Sequence, residues 1–372
     1  MLGSCCGGMG WWGAGGDELQ WHLELKPHTS GDFSIAVAQA NVVLEDQSQV
    51  MSSPSATLVG VYDGHGGPEA SRFVNSRLFS HLHKFASEHG AFSEEVMRKA
   101  FDVTEQEFVH LVRRSWVSRP QLASVGSCCL VGAIANGVLY VANLGDSRAV
   151  LGRRATNGRG VVAERLSSDH NVAVEEVRKE LREQHPDDPH IVVYNRGIWR
   201  IKGIIQVSRS IGDVYLKRPE LSREPLFQRY VCPVPLKRPV MSAEPSIRVR
   251  KLMSDDLFMI FASDGLWEQL TDDAVVEIVS RNPRSGIAKR LVRAALDETA
   301  RKREIRYNDI IKIEKGTRRH FHDDITVIVI YLDQHRNNAS RSKCNTFDYT
   351  NAPIDIFSLN SDCEAEDPGI VI

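Results

Sequence analysis

Val61-Tyr62-Asp63-Gly64-His65-Gly66-Gly67 places a carboxylate, an unhindered backbone carbonyl and an imidazole at the end of an apolar run. The residues before it, Thr57 to Tyr62, are mostly apolar and β-branched, which predicts a strand, while Pro68-Glu69-Ala70 after it opens a helical pattern. The motif therefore sits on a strand-to-helix turn. Its glycines permit close approach of the backbone to an ion or a phosphate. Asp63 offers the hard oxygen that Mg²⁺ or Mn²⁺ prefers, and His65 titrates near neutrality, which suits proton donation to a leaving alkoxide. A plain glycine-rich turn capped by aspartate has the same composition, so the string alone leaves both readings open.

Three further acidic turns border strand-like segments in the same manner: Asn143-Leu144-Gly145-Asp146-Ser147-Arg148, Ile260-Phe261-Ala262-Ser263-Asp264-Gly265 and His322-Asp323-Asp324-Ile325-Thr326. Taken singly, Asp146 and Asp213 read as turn caps and Asp323-Asp324 as a solvated pair. Strand-end carboxylates meeting at one rim would instead form an oxygen-rich site for two divalent ions and a phosphoryl group.

Outward from these turns, strand-like runs recur at Phe33 to Ala40, Ser127 to Ala135, Val138 to Leu144, Ser147 to Leu151, Leu257 to Ser263 and Ile325 to Leu332. Helical patterns occupy Pro68 to Glu88, Ser93 to Trp116, Ala173 to Glu183 and Pro283 to Arg303. Short connections favour antiparallel pairing, and the helices fall in groups between blocks of strands. An α+β layered fold follows, rather than strict βαβ alternation. Residues 1–31 lack periodicity and residues 334–372 are polar and interrupted, so both are expected to be tails around one domain of residues 32–333.

The 372 residues are 42% hydrophobic and 25% charged, an ordinary globular balance, and no apolar run approaches the ~20 residues of a membrane span. A formal net charge of −2 gives no global attraction to nucleic acid or anionic membranes. The seven cysteines are scattered without CxxC spacing, which fits a reducing, intracellular compartment. Cys128-Cys129 and Trp267 read as core, Arg209 as the partner of a nearby carboxylate, and His320 and His322 as packing residues. The basic run from Arg301 to Arg319 reads as a solvated face.

Glu45-Asp46, the Asp63 to Gly67 turn, Gly145-Asp146-Ser147-Arg148, Ser208-Arg209-Ser210-Ile211-Gly212-Asp213, Ala262-Ser263-Asp264-Gly265-Leu266-Trp267 and Asp323-Asp324-Ile325-Thr326 follow one another in a definite order. With them, residues 32–332 resemble the metal-dependent type 2C serine/threonine protein phosphatases. The resemblance implies a β-sandwich of two antiparallel sheets flanked by helix pairs, with a metal cleft at one end. It implies that Asp63 bridges two Mg²⁺ or Mn²⁺ ions, that the Gly64 carbonyl holds one, and that Asp264 and Asp323 hold the other. Glu45 and Asp46 would act through water, and Asp146 would contact a weaker third ion. The implied reaction is hydrolysis of phosphoserine and phosphothreonine in proteins by a metal-bridging hydroxide, with His65 as general acid.

Leu44 to Gln49 and Pro219 to Pro235 resemble a plant subgroup associated with small auxin-induced inhibitory proteins and with the plasma-membrane proton pump. The expected protein is accordingly a monomer of the cytoplasm or nucleus, with peripheral association at the plasma membrane and no nucleic-acid partner. Arg196 stands where the hormone co-receptor branch carries a flap tryptophan, so an abscisic-acid receptor partnership is not expected. Two departures qualify the match. Asn41 occupies the place of a phosphate-clamping arginine found in many relatives, and Glu268 that of a frequent aspartate. The alternatives are a catalytically weak phosphoprotein-binding scaffold and a hydrolase of small phosphorylated metabolites.

Overall fold

Two stacked antiparallel sheets follow from the apolar, β-branched runs. The computed structural model describes residues 20–53, 56–156, 158–223, 225–227, 230, 236–333 and 353–355. In chain order the strands are β1 (Gln20–His28), β2 (Gly31–Ala38), β3 (Gln47–Ser52), β4 (Ala56–Tyr62), β5 (Gly64–His65), β6 (Gly126–Ser127), β7 (Cys129–Ala135) and β8 (Val138–Leu144). They continue with β9 (Arg148–Arg154), β10 (Val161–Arg165), β11 (Val192–Asn195), β12 (Ile198–Ile201), β13 (Ile211–Gly212), β14 (Ser246–Lys251), β15 (Asp256–Ala262) and β16 (Ile325–Tyr331). The helices are α1 (Glu69–His89), α2 (Glu94–Ser115), α3 (Glu175–Gln184), α4 (Val214–Lys217), α5 (Asp264–Trp267), α6 (Asp272–Arg281), α7 (Ile287–Lys302) and α8 (Tyr307–Ile310).

One sheet has the order β1-β2-β16-β15-β9-β10, the other β14-β8-β7-β4-β3. Ile35, Val37, Val59, Val61, Leu130, Phe261 and Ile328 fill the space between them. Each such buried side chain contributes about 1.5–3 kcal/mol of transfer free energy. Gly132 leaves the room that the Phe261 ring occupies. On the outer face of the second sheet, α1 and α2 bury Val74, Leu78, Phe101 and Phe108; on the outer face of the first, α6 and α7 bury Val276, Leu291, Val292 and Leu296. The layers are helix, sheet, sheet, helix, as expected. Caps set the helix ends: the Ser93 hydroxyl accepts from Val96 N at 3.2 Å, and Gly90 ends α1 at φ 73°, a conformation that favours glycine.

The structure differs from the sequence reading at several elements. β1 pairs antiparallel with β2, Leu23 opposite Ile35, so residues 20–28 belong to the sheet and not to the expected N-terminal tail. Lys26-Pro27 and a register shift between Leu23 and Lys26 break the alternation that would have revealed this strand. β3 went unread because it opens Gln-Ser-Gln, yet Gln47, Ser48 and Gln49 are buried. α6 precedes the expected helix, and Asn282-Pro283 separates it from α7. Residues 1–19 lie outside the described residues, as do 334–372 apart from Pro353 to Asp355. There Ile354 exchanges backbone hydrogen bonds of 2.8 and 3.1 Å with Val50 of β3. Among the described residues no helix is long and apolar enough to cross a membrane.

Candidate metal centre

Strand register gathers the acidic turns. Ala262, the last residue of β15, pairs with Arg148 at the start of β9 and with Val327 near the start of β16. Asp264, Asp146 and Asp323 therefore leave the first sheet at the same end. In the second sheet Gln47 pairs with Tyr62, which sets Glu45-Asp46 beside Asp63. Asp46 then ties the two sheets together, because its Oδ2 accepts from Ser263 Oγ at 2.8 Å and from Thr326 Oγ1 at 2.7 Å. Gly64 is buried and pairs with Ser127 in the small sheet β13-β6-β5.

Asp63, Cys128 and Asp146 present ligand atoms that all lie within 4.8 Å of one another. Cys128 Sγ donates to Asp146 Oδ1 at 3.2 Å, and Asn171 Nδ2 donates to its Oδ2 at 2.6 Å. Asp324 fixes the loop before β3: Oδ1 accepts from the Ala40 and Asn41 backbone N–H groups at 2.6 and 3.0 Å, and Oδ2 from Glu45 N at 2.9 Å. That leaves Asp323 facing the cluster, its Oδ2 paired with Arg319 Nη2 at 2.5 Å.

Crowding of buried carboxylates dominates the electrostatics. Burial raises Asp63 well above the usual carboxylate range, and the charges of Asp264, Asp46, Asp323 and Asp146 raise it further. Asp264 is raised in the same way, by burial and then by Asp146, Asp323, Glu268 and Asp46. Burial pushes Glu45 up to about 7, reinforced by Asp324 and Asp323. Asp323 rises to about 6, chiefly through burial, while Arg319 pulls the other way. Burial and Asp324 raise Asp46 against the hydrogen bonds from Thr326 and Ser263.

Such a cluster costs folding free energy unless cations compensate it. The residues fit divalent ions. Oδ1 of Asp264 is buried with no hydrogen-bond partner, an acceptor available to an ion, and carboxylate oxygens suit Mg²⁺ and Mn²⁺.

His65 stands at the rim with 29% of its side chain exposed, and its Nε2 lies 2.7 Å from Oδ2 of the buried Asp213. Ser210 Oγ donates to the same Oδ2 at 2.6 Å. A Cβ at position 126 would overlap both Asp213 Oδ2 and His65 Nε2, so Gly126 makes room for the pair. Burial acts to lower the His65 pKa, but the charge and hydrogen bond of Asp213, with Asp146 and Glu45, leave it above the ordinary histidine value.

Asp213, which read as a turn cap when taken singly, is the buried carboxylate beside His65. Its Ser208 to Asp213 motif was visible, but nothing local links it to an imidazole 148 positions earlier. Cys128 is buried as expected, yet its thiol belongs to the acidic cluster, and burial with Asp146 and Asp63 raises its pKa and keeps it a hydrogen-bond donor. Arg319 leaves the expected solvated face for the rim. Arg209 does pair with a carboxylate, Glu180, at 3.0 Å, and Trp267 does pack in the core, donating to Ala262 O at 3.0 Å.

The family model described as Protein phosphatase 2C matches residues 28–303. The relative named "Probable protein phosphatase 2C 78" from Oryza sativa subsp. japonica is 70% identical over 348 residues, covering 93% of this chain and 89% of that protein. "Probable protein phosphatase 2C 63" from Arabidopsis thaliana is 66% identical over 356 residues, covering 95% and 93%. A solved serine-threonine phosphatase 2C from Toxoplasma gondii shares the fold with a TM-score of 0.61, over 84% of this chain and 99% of its own, at 18% identity. A rim of converging carboxylates on a helix-flanked antiparallel sandwich thus coincides with a match over most of the sequence: the chain belongs to the protein phosphatase 2C family of metal-dependent hydrolases.

Proposed function

We propose that this phosphatase hydrolyses phosphoserine and phosphothreonine in proteins using two Mg²⁺ or Mn²⁺ ions held by Asp63, Gly64, Asp264 and Asp323. Glu45 and Asp46 act through water, and Asp146 serves a weaker third ion. The observation that carries this reading is the meeting of Asp63, Asp146, Asp264 and Asp323 at one rim, where each electrostatically strains another. Bound cations supply Lewis-acid charge to the phosphoryl group and activate water near neutral pH.

His65 carries the proton. Asp213 holds the Nε2 side of the ring and favours the imidazolium, which leaves Nδ1–H for the departing serine or threonine oxygen. Removing the Asp213 charge removes what raises the His65 pKa, so the acid form is lost at a lower pH. In Asp213→Asn the alkaline limb of the kcat profile on a phosphopeptide should therefore move to lower pH. An unmoved limb would separate Asp213 from the acid.

Turnover of a phosphothreonine peptide should require Mn²⁺ or Mg²⁺, stop on chelation, and exceed turnover of small phosphate monoesters. Preference for the small monoesters would favour the metabolite hydrolase, and peptide binding without turnover would favour the scaffold. The likeness of Leu44 to Gln49 to the plant subgroup supports small auxin-induced proteins as inhibitors and the plasma-membrane proton pump as a substrate, for a monomer acting inside the cell.

A further inference from the structure

We infer that Arg319 supplies the cationic grip on the substrate's phosphoryl group, a role that the residue at Asn41 cannot fill; the inference rests on the phosphatase reading above. A phosphate monoester approaching this rim meets carboxylates, and the chain must offset that repulsion at the point of contact. Asn41 is uncharged and engaged: its Nδ2 donates to Asp324 Oδ2 at 3.2 Å and Glu45 Oε2 at 3.3 Å, and lies 3.5 Å from Asp323 Oδ1.

Among the described residues, the ion pair between Arg319 and Asp323 is the one that a lysine or arginine makes with Glu45, Asp46, Asp63, Asp146, Asp264 or Asp323. The two side chains differ in access. The Arg319 side chain is 50% exposed and that of Asp323 17%, so a half-open guanidinium, with five N–H donors to share, lies at the rim beside a more buried carboxylate. Its planar fork accommodates a carboxylate oxygen on one side and phosphate oxygens on another.

The adjacent Arg318 does different work. It is buried and donates to Gln39 O at 2.8 Å and to Ile313 O, which anchors the turn from which Arg319 extends. Neighbouring cations are committed elsewhere: Arg148 to Asp169 and Asp272, and Lys302 Nζ to Glu268 O and Gln269 Oε1.

The test uses the full-length, Mn²⁺-loaded protein and measures the inhibition constant of inorganic phosphate, the KM for a phosphothreonine peptide, and the Mn²⁺ activation constant. In Arg319→Ala the first two should rise roughly tenfold or more, as expected for losing a charged hydrogen bond, while Mn²⁺ activation is not weakened. Arg319→Lys keeps the charge without the fork and should recover part of the loss. Unchanged phosphate inhibition in a folded Arg319→Ala protein overturns the inference. So does a rise that merely follows weakened Mn²⁺ activation, since Arg319 would then act by orienting Asp323. Absence of metal-dependent turnover in the wild-type protein would instead defeat the phosphatase reading itself.

Discussion

Asp63→Asn is expected to lower kcat on a phosphothreonine peptide by at least roughly a thousandfold while the fold persists. The amide nearly matches the carboxylate in shape but carries no charge, so the site would lose one of the anionic ligands that would hold the ions. With the ions held less well, the attacking water would keep a pKa far above neutrality. Stability should move the opposite way. Burial and neighbouring acids raise the folded-state pKa of Asp63 above its unfolded value, so stability falls as pH rises through that interval. Above it, the charge is a standing cost in the metal-free protein, and asparagine removes the cost. Metal-free Asp63→Asn should therefore melt at a higher temperature than metal-free wild type at neutral pH. Thermal scans with chelator, beside steady-state kinetics, check both halves; a destabilised variant would mean that the lost activity reports a damaged fold.

His65→Gln carries the second large effect. General acid catalysis contributes about 10²–10⁴-fold, so kcat on the phosphothreonine peptide should fall by that amount. A p-nitrophenyl ester departs without needing the proton, and its turnover should change little. This split separates loss of the acid from loss of the metal site, which would slow both substrates together. Equal losses on both substrates would remove His65 from the proton-transfer role.

Much of the scaffold was legible because its core strands are apolar and β-branched on both faces, as Ile325–Tyr331 and Cys129–Ala135 show. Strands that depart from this pattern were not. β3 buries a glutamine-rich run whose side-chain amides find partners in the fold, Gln47 Nε2 donating to Asp46 O and Gln49 Nε2 to Tyr62 Oη, both at 2.8 Å. β14 has a largely exposed or half-exposed edge and lacks a continuous apolar signature. The acidic ligand candidates were readable because each lies in a strand-end turn within an ordered series of motifs.

The supporting contacts were harder to read, each for its own reason. The Asp213 carboxylate reaches His65 through the small sheet in which Ile211 pairs with Ser127 and Gly64 pairs with the same serine. Arg319 looked like part of a solvated basic run because the sequence does not show that Arg318 turns inward beside it. The Asp213 contact spans 148 positions and has no local signal, whereas the four-residue spacing of Arg319 and Asp323 was a signal left unused.

The most direct measurement is manganese anomalous scattering from crystals of the Mn²⁺-loaded protein, with Asp63→Asn crystals as comparison. The account predicts manganese within bonding distance of Asp63, Asp264 and Asp323, and loss of that density in the variant. Manganese bound only elsewhere on the protein, or undiminished density in Asp63→Asn, would contradict it.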